Sequence, residues 1–184
     1  MTRDELEHAI RAACEVAGDA EVWVFGSQAI LGQFPDAPDR LRQSAEADVA
    51  PKNFPERADQ IDGALGELSA FHQTHGFYVH GLSIEAATLP QGWEWRARPV
   101  QNENTKGYVG LCVEAHDLAA SKLKAFRDKD RAFVRVLPTE RLIKANRLVR
   151  MINLLPVPAE ERERLTAWVD ATAKELVSSK RGKT

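Results

Sequence analysis

Two cysteines in 184 residues, Cys14 and Cys112, are too few and too far apart for a disulfide framework or a cysteine-based zinc site. A reducing compartment is the simpler expectation. Nor is there a run of about eighteen apolar residues able to span a bilayer. The opening segment, MTRDELEHAIRAACEV, is charged and amphipathic and has no apolar signal core. These absences point to a soluble cytoplasmic protein with no membrane partner. Charge of one sign is missing as well: the net charge is −2, so the composition as a whole does not mark a nucleic-acid binder, least of all a DNA-specific one. There is no internal repeat and no low-complexity linker.

What is present is enough apolar residue, 43%, for one domain with a real core. The charge is unevenly spread. Residues 120–150 hold ten Lys/Arg against three Asp/Glu, an excess compatible with a phosphate-facing surface or with a solvated helix face. The element pattern is mixed helix and strand, then helices only. We therefore expect an α+β fold: a small mixed β-sheet flanked by helices over 1–115, with a helical part over 116–184 in the same compact unit.

Several elements announce themselves. Thr2-x-x-Glu5 is a capping box, followed by Leu6, Ile10, Ala13 and Ala17 on one face and a Gly18-Asp19 stop, which predicts a helix over 2–17. Residues 21–25 and 45–50 read as strands, with a short helix at 28–33 between them and a Pro/Asp loop after it. Pro55 opens a helix expected to reach Leu68. GFYVHGLSIEAATL reads as one strand or a pair, and EWRARPVQ and YVGLCV as further strands. HDLAASKLKAFRDKDRAFVRVL has helical spacing. Thr139 is placed as the N-cap of the next helix, a last helix covers 159–178, and the tail after it frays.

The chemistry gathers around two short stretches. In VWVFGSQAIL a strand breaks at Gly26-Ser27 and turns helical. A glycine there lets main chain approach a phosphate, and the following N–H groups favour an anion. In SAEADVAP, Glu46 and Asp48 lie two apart on a strand, so they share a face about 7 Å apart at the backbone. Carboxylates that close repel unless a cation or proton sits between them, and Mg²⁺ or Mn²⁺ with a substrate phosphate suits such a pair. Two acids on a solvent-facing strand are the plainer reading. Ser44 falls on the same side, as a substrate contact or simply a strand-entry serine.

FGSQAI followed by SAEADV resembles the Gly-Ser and acid-x-acid signature of the DNA polymerase β-like nucleotidyltransferase superfamily. HDLAASKLKAFRDKDRAFV is similar to the Lys-then-Asp helical region of its abortive-infection branch, which includes toxins of toxin–antitoxin pairs. The stretch LPQGWEWRARPVQNENTKGYVGLCVEAHDLAASKL resembles a small uncharacterised bacterial group in that branch. The likeness spans roughly residues 20–137. It implies Mg²⁺-dependent (or Mn²⁺-dependent) transfer of a nucleoside monophosphate from an NTP to a hydroxyl of tRNA, another RNA or a protein, with a cognate antitoxin as a further partner. Carried over by position, Glu46 and Asp48 hold metal and Gly26 and Ser27 hold phosphates. Lys122 neutralises triphosphate charge, and Asp130 orients it or a substrate hydroxyl. Lys124, Arg127 and Arg131 extend the positive surface.

Two positions depart from the pattern. The usual first acid is Asp, and here it is Glu46. The usual third carboxylate lies on a later strand, where His80 and Glu85 are the candidates. A nucleotide- or RNA-binding module without turnover is therefore the alternative, and an antitoxin-like partner protein a third reading. An i,i+4 pair of Lys124 with Asp128 is the bland account of the basic segment. His80 and His116 read as structural histidines. Trp93 and Trp95 read as strand packing, with base stacking beside Arg96 and Arg98 as the alternative.

Overall fold

The computed structural model describes residues 1–181. The chain is α+β and divides into two compact units. One comprises Met1–Ala87 and Glu94–Glu114, and the other comprises Thr88–Trp93 and the chain from Ala115 onward.

The first unit is built on a five-stranded mixed sheet. Its strands are β1 (Glu21–Phe25), β2 (Glu46–Pro51), β3 (Tyr78–Gly81), β4 (Arg98–Val100) and β5 (Val109–Cys112). They lie side by side in the order β3-β2-β1-β5-β4. β1 runs antiparallel to β2 and parallel to β5, β2 runs parallel to β3, and β4 runs antiparallel to β5. Burial alternates along β2 and β3. Ala47, Val49, Val79 and Gly81 are buried, while Glu46, Asp48, Tyr78 and His80 are half-buried on the opposite face.

Helices cover the apolar face. Helix α1 (Arg3–Ala17) starts at the capping box, Thr2 with Glu5, and ends on Gly18 in the left-handed conformation. Its Leu6, Ile10 and Ala13 are fully buried, and Ile10 fills the space a side chain at Gly110 of β5 would need. Arg3 donates to Leu31 O, tying α1 to the short helix α2 (Ile30–Gln33). Helix α3 (Ala58–Leu65) lies over β3, so closely that a Cβ on Gly81 would fall 2.2 Å from Ala58 O. That approach requires glycine.

Three expectations in this unit are corrected. The helix opened by Pro55 begins as a 3-10 turn and stops at Leu65, because Gly66 caps it and Leu68 takes a positive φ. A short helix, α4 (Ala70–His75), fills what reads as loop, capped by Ser69 and held by stacking of Phe71 and His75 on His8 and Phe77. Only Tyr78–Gly81 of GFYVHGLSIEAATL is strand. Residues 84–86 and 93–96 are 3-10 turns.

The second unit is helical: α5 (Ala115–Ala125), α6 (Asp128–Thr139), α7 (Ala145–Asn153) and α8 (Ala159–Arg181). The single helical run read from 116 to 137 is broken at Phe126, which takes φ +54°. Its ring lies between the Arg131 and Arg164 guanidinium groups, each 4.8 Å from its centroid. Thr139 does not open a helix. It closes α6, its hydroxyl donating to Arg135 O, and the next helix starts after Lys144. The tail expected to fray is helical through Arg181, and residues 182–184 lie outside the described residues. No helix among the described residues is long and apolar enough to cross a membrane.

Candidate metal centre

The antiparallel pairing of β2 with β1 and its parallel pairing with β3 bring three side chains together. Asp48 stands opposite Phe25 on one side and His80 on the other. His80 Nδ1 lies 2.8 Å from Glu46 Oε1 and 3.6 Å from Asp48 Oδ1. One donor atom from each of Glu46, Asp48 and His80 falls within 4.8 Å of the others. Their side chains are 33%, 22% and 38% exposed, so a solvated ion has access.

Carboxylate oxygens and an imidazole nitrogen form a donor set that fits Mg²⁺ through its oxygens and Mn²⁺ through all three. His80 Nδ1 and Glu46 Oε1 are at hydrogen-bond distance, an N–H donor to a carboxylate acceptor in the tautomer protonated at Nδ1. To hold a cation, Nδ1 would present its lone pair, which is the tautomer that carries the ring proton on Nε2. Asp62 Oδ1 of α3 stands 3.9 Å from Nε2, the side on which a carboxylate orients a ligating imidazole. Negative charge dominates here. Burial raises the Tyr78 phenol above its ordinary range, and the charges of Glu46, Glu67, Asp48 and Asp62 raise it further.

The Gly-Ser bend lies directly against this cluster. Gly26 has φ +66° and ψ −163°, a conformation open to glycine. A Cβ there would sit 1.8 Å from Asp48 Oδ2. Asp48 thus spans the gap between the bend and His80. Ser27 opens a three-residue 3-10 turn that leads into four residues of α2. So short a run has little macrodipole, and any anion affinity of the bend rests on its main-chain N–H groups rather than on a helix end. Ser44 is placed differently from the strand reading. It precedes β2, and its Oγ accepts from Glu46 N–H at 3.1 Å, which commits it to the chain entering the strand.

Lys122 and Asp130 meet, but not along one helix face. They lie on α5 and α6, and the turn at Phe126 folds them together, with Lys122 Nζ 3.5 Å from Asp130 Oδ1 and 4.7 Å from the Phe133 ring centroid. Arg127 Nε reaches Asp130 Oδ2 at 2.6 Å. Asp130 is 1% exposed. Burial alone would push its carboxyl up, but the hydrogen bonds and charges of Arg127 and Lys122 together hold it below the ordinary range. The i,i+4 pair of Lys124 with Asp128 does not form. Lys124 binds Glu161 at 3.1 Å, and Asp128 binds Arg131. Glu46, Asp48, Gly26, Ser27 and Ser44 belong to the sheet unit, whereas Lys122, Lys124, Arg127 and Asp130 belong to the helical one.

Of the remaining residues, Glu85 is exposed on a 3-10 turn. His116 Nε2 accepts from Lys144 N–H at 3.0 Å, a structural role. Trp95, read as core packing, is 93% exposed. His80, a candidate from sequence both for the third-ligand position and for a structural role, joins the cluster, and so does Asp62, which carries no local signal. Tyr78 and His80 alternate as Glu46 and Asp48 do, but which strand pairs with β2 is a long-range fact no local pattern carries. Compared with models of protein families, with curated proteins and with solved structures, the chain matches none.

Proposed function

We propose that this chain is a divalent-metal-dependent nucleotidyltransferase of the cytoplasm that moves a nucleoside monophosphate from an NTP to an acceptor hydroxyl. The observation that carries the reading is the position of Asp48, whose carboxylate lies against the Gly26 bend on one side and faces His80, and beyond it Glu46, on the other. Glu46 and Asp48 hold Mg²⁺ or Mn²⁺, with His80 as third donor and Asp62 as its support. An ion held there would supply charge neutralisation for the substrate phosphates. The missing side chain at Gly26 lets main chain come up to the phosphates, and Ser27 adds a hydroxyl. The acceptor oxygen bonds the α-phosphorus, the α–β bridging P–O bond breaks, pyrophosphate leaves, and the acceptor proton passes to solvent.

Lys122, Asp130, Lys124 and Arg127 enter the proposal through the family resemblance, as do an RNA or protein acceptor and a cognate antitoxin. The test is incubation with each labelled NTP, Mg²⁺ or Mn²⁺, and total RNA or protein. Label is expected in the acceptor, falling by about 10² or more in Asp48→Ala. Equal background incorporation by both proteins with all four NTPs refutes catalysis.

One observation favours a second reading. The strand position where a third carboxylate would complete the site carries His80. A nucleotide-binding module without turnover then binds a non-hydrolysable NTP with Mn²⁺ in calorimetry and forms no product, while absence of binding defeats both readings.

A further inference from the structure

We propose that helix α4 is an acid-released strap: neutral histidines hold it against α1 and the head of β3, and as the pH falls below about 6.5, protonation of His8 and His72 frees it and uncovers Phe71 and Phe77. The inference does not depend on the nucleotidyl-transfer reading.

None of the residues of α4 is buried. Its hydrogen bonds close within residues 68–76. Ser69 Oγ accepts from His72 N–H, Leu68 O from the Gln73 side chain and Ala70 O from the Thr74 hydroxyl, while Gly76 N–H donates to His72 O. What ties α4 to α1 and β3 is ring contact. Phe71 meets His8 and Phe77 edge to face, each at 5.3 Å between centroids. His75 meets His8 at 4.6 Å, and His72 lies 4.9 Å from Tyr78. Three of the chain's five histidines gather at this one contact, so its strength follows proton occupancy in the range where imidazole titrates.

Docking calls for neutral rings. His72 Nδ1 accepts from Leu68 N–H at 3.0 Å, and a protonated imidazole has no lone pair to accept with. Leu68 takes φ +65°, so the turn that opens α4 is strained and leans on that bond. The titratable groups beside His72 are Glu67, exposed one residue before Leu68, and the Tyr78 phenol, which burial and then the nearby carboxylates keep protonated. His8 is half-buried among Phe71, His75 and Phe77. The charged and titratable groups acting on it are Arg11 and Glu15 of its own helix and His75 of α4, while Phe71 and Phe77 bring none. Burial, then Arg11 and His75, disfavour a proton there, and Glu15 favours one but is already paired with Lys106 at 3.2 Å. The docked His8 ring thus binds a proton less readily than the undocked ring, whose ordinary value is about 6.5. By linkage, docking is at full strength above that value and weakens as the pH falls below it toward the lowered docked value. Undocking uncovers Phe77, now 4% exposed, and strips the outer neighbour from Tyr78, the first residue of β3.

The test follows amide hydrogen exchange of the full chain by NMR from about pH 7.5 to about pH 5.5, with rates corrected for intrinsic exchange. Protection of the Gln73 and Gly76 amides, which donate to Ser69 O and His72 O, is expected to fall by up to about tenfold per pH unit for each proton taken up. Amides in the interior of α1 are expected to keep theirs. Binding of the dye ANS is expected to rise over the same range as Phe71 and Phe77 are uncovered. The double variant His8→Phe with His72→Gln keeps a ring at one position and a neutral acceptor at the other, and is expected to hold α4 without pH dependence. Glu15→Gln leaves the ring cluster intact and removes the charge that favours a proton on His8, so its loss of protection at acid pH is expected to be deeper than in wild type. Protection over 68–76 that holds or rises as the pH falls, that is lost together with the interior of α1, that falls equally in the double variant, or that is unmoved by Glu15→Gln overturns the proposal.

Discussion

Replacing Gly26 by alanine separates two effects that the structure places at one atom. The first is conformational: φ +66° with ψ −163° is a region closed to side-chain-bearing residues, at about 1–3 kcal/mol. The second is steric, since the new Cβ lies 1.8 Å from Asp48 Oδ2 and 2.8 Å from Asp48 Cγ, so the carboxylate must swing away. Gly76 is the control. It has φ +75° and ψ 4°, and a methyl added there would meet nothing within 4 Å, so Gly76→Ala carries only the left-handed backbone cost of about 1–2 kcal/mol. Gly26→Ala is expected to cost ~3 kcal/mol in urea unfolding. It should also weaken Mn²⁺ binding, read by electron paramagnetic resonance, by about 10- to 100-fold, the usual effect of disturbing the support of a metal ligand. In an Asp48→Ala background the contacts with Oδ2 and Cγ are gone, so the double mutant should show a coupling of ~1 kcal/mol or more. If Gly26→Ala costs no more than Gly76→Ala, adds to Asp48→Ala without coupling and leaves Mn²⁺ binding alone, the apposition of bend and carboxylate is refuted.

Asp130 has a depressed folded-state carboxyl, so its stabilising contribution is fully present above the unfolded-state value near 3.9 and disappears as pH falls through the lower folded value. Asp130→Asn should therefore destabilise the chain by about 3 kcal/mol at neutral pH, with the difference from wild type closing as the pH of the urea titration drops below ~4. Asp19 accepts from the main-chain N–H groups of Glu21, Asn53 and Phe54 and from the Asn53 side chain, fixing the segment that leaves β2. Asp19→Ala leaves those donors unmatched and should lower stability by ~3 kcal/mol in the same assay. Burial pushes the thiols of Cys14 and Cys112 up to about 12, and neither is exposed to solvent. Both should resist Ellman's reagent in the folded protein and react fully in denaturant.

The sequence carries the parts of the fold whose causes are local. Helix α1 is legible because its capping box, apolar stripe and terminal glycine all sit within seventeen residues. β1 and β2 are legible from composition, and the Gly26 bend from its position after β1. The break between α5 and α6 is not, since KAFRDKD contains neither glycine nor proline and the left-handed turn falls on Phe126, whose ring is held by Arg131 and Arg164. Arg164 is on α8, far along the chain. Helix α4 is hidden for the same reason, its aromatic anchors facing His8 on α1. In the candidate site, the Glu46–Asp48 spacing is visible from strand alternation. The arrival of His80 depends on β3 pairing with β2 at one register, and that of Asp62 on α3 packing over β3. Lys122 and Asp130 are a pairing whose residues are legible but whose route, across a corner rather than along a helix, is not.

Gly81 sits one residue beyond His80 on the opposite face of β3, with the Ala58 carbonyl where a methyl would go. It works as a latch. Were β3 to slide by one position in either direction, His80 or Leu82 would have to enter a slot that admits only hydrogen, and the parity of the strand would turn the imidazole toward α3. The donor set facing solvent is thus enforced from behind the sheet by the smallest side chain in the protein, and drift at that glycine would scramble the metal-facing surface without touching any residue on it.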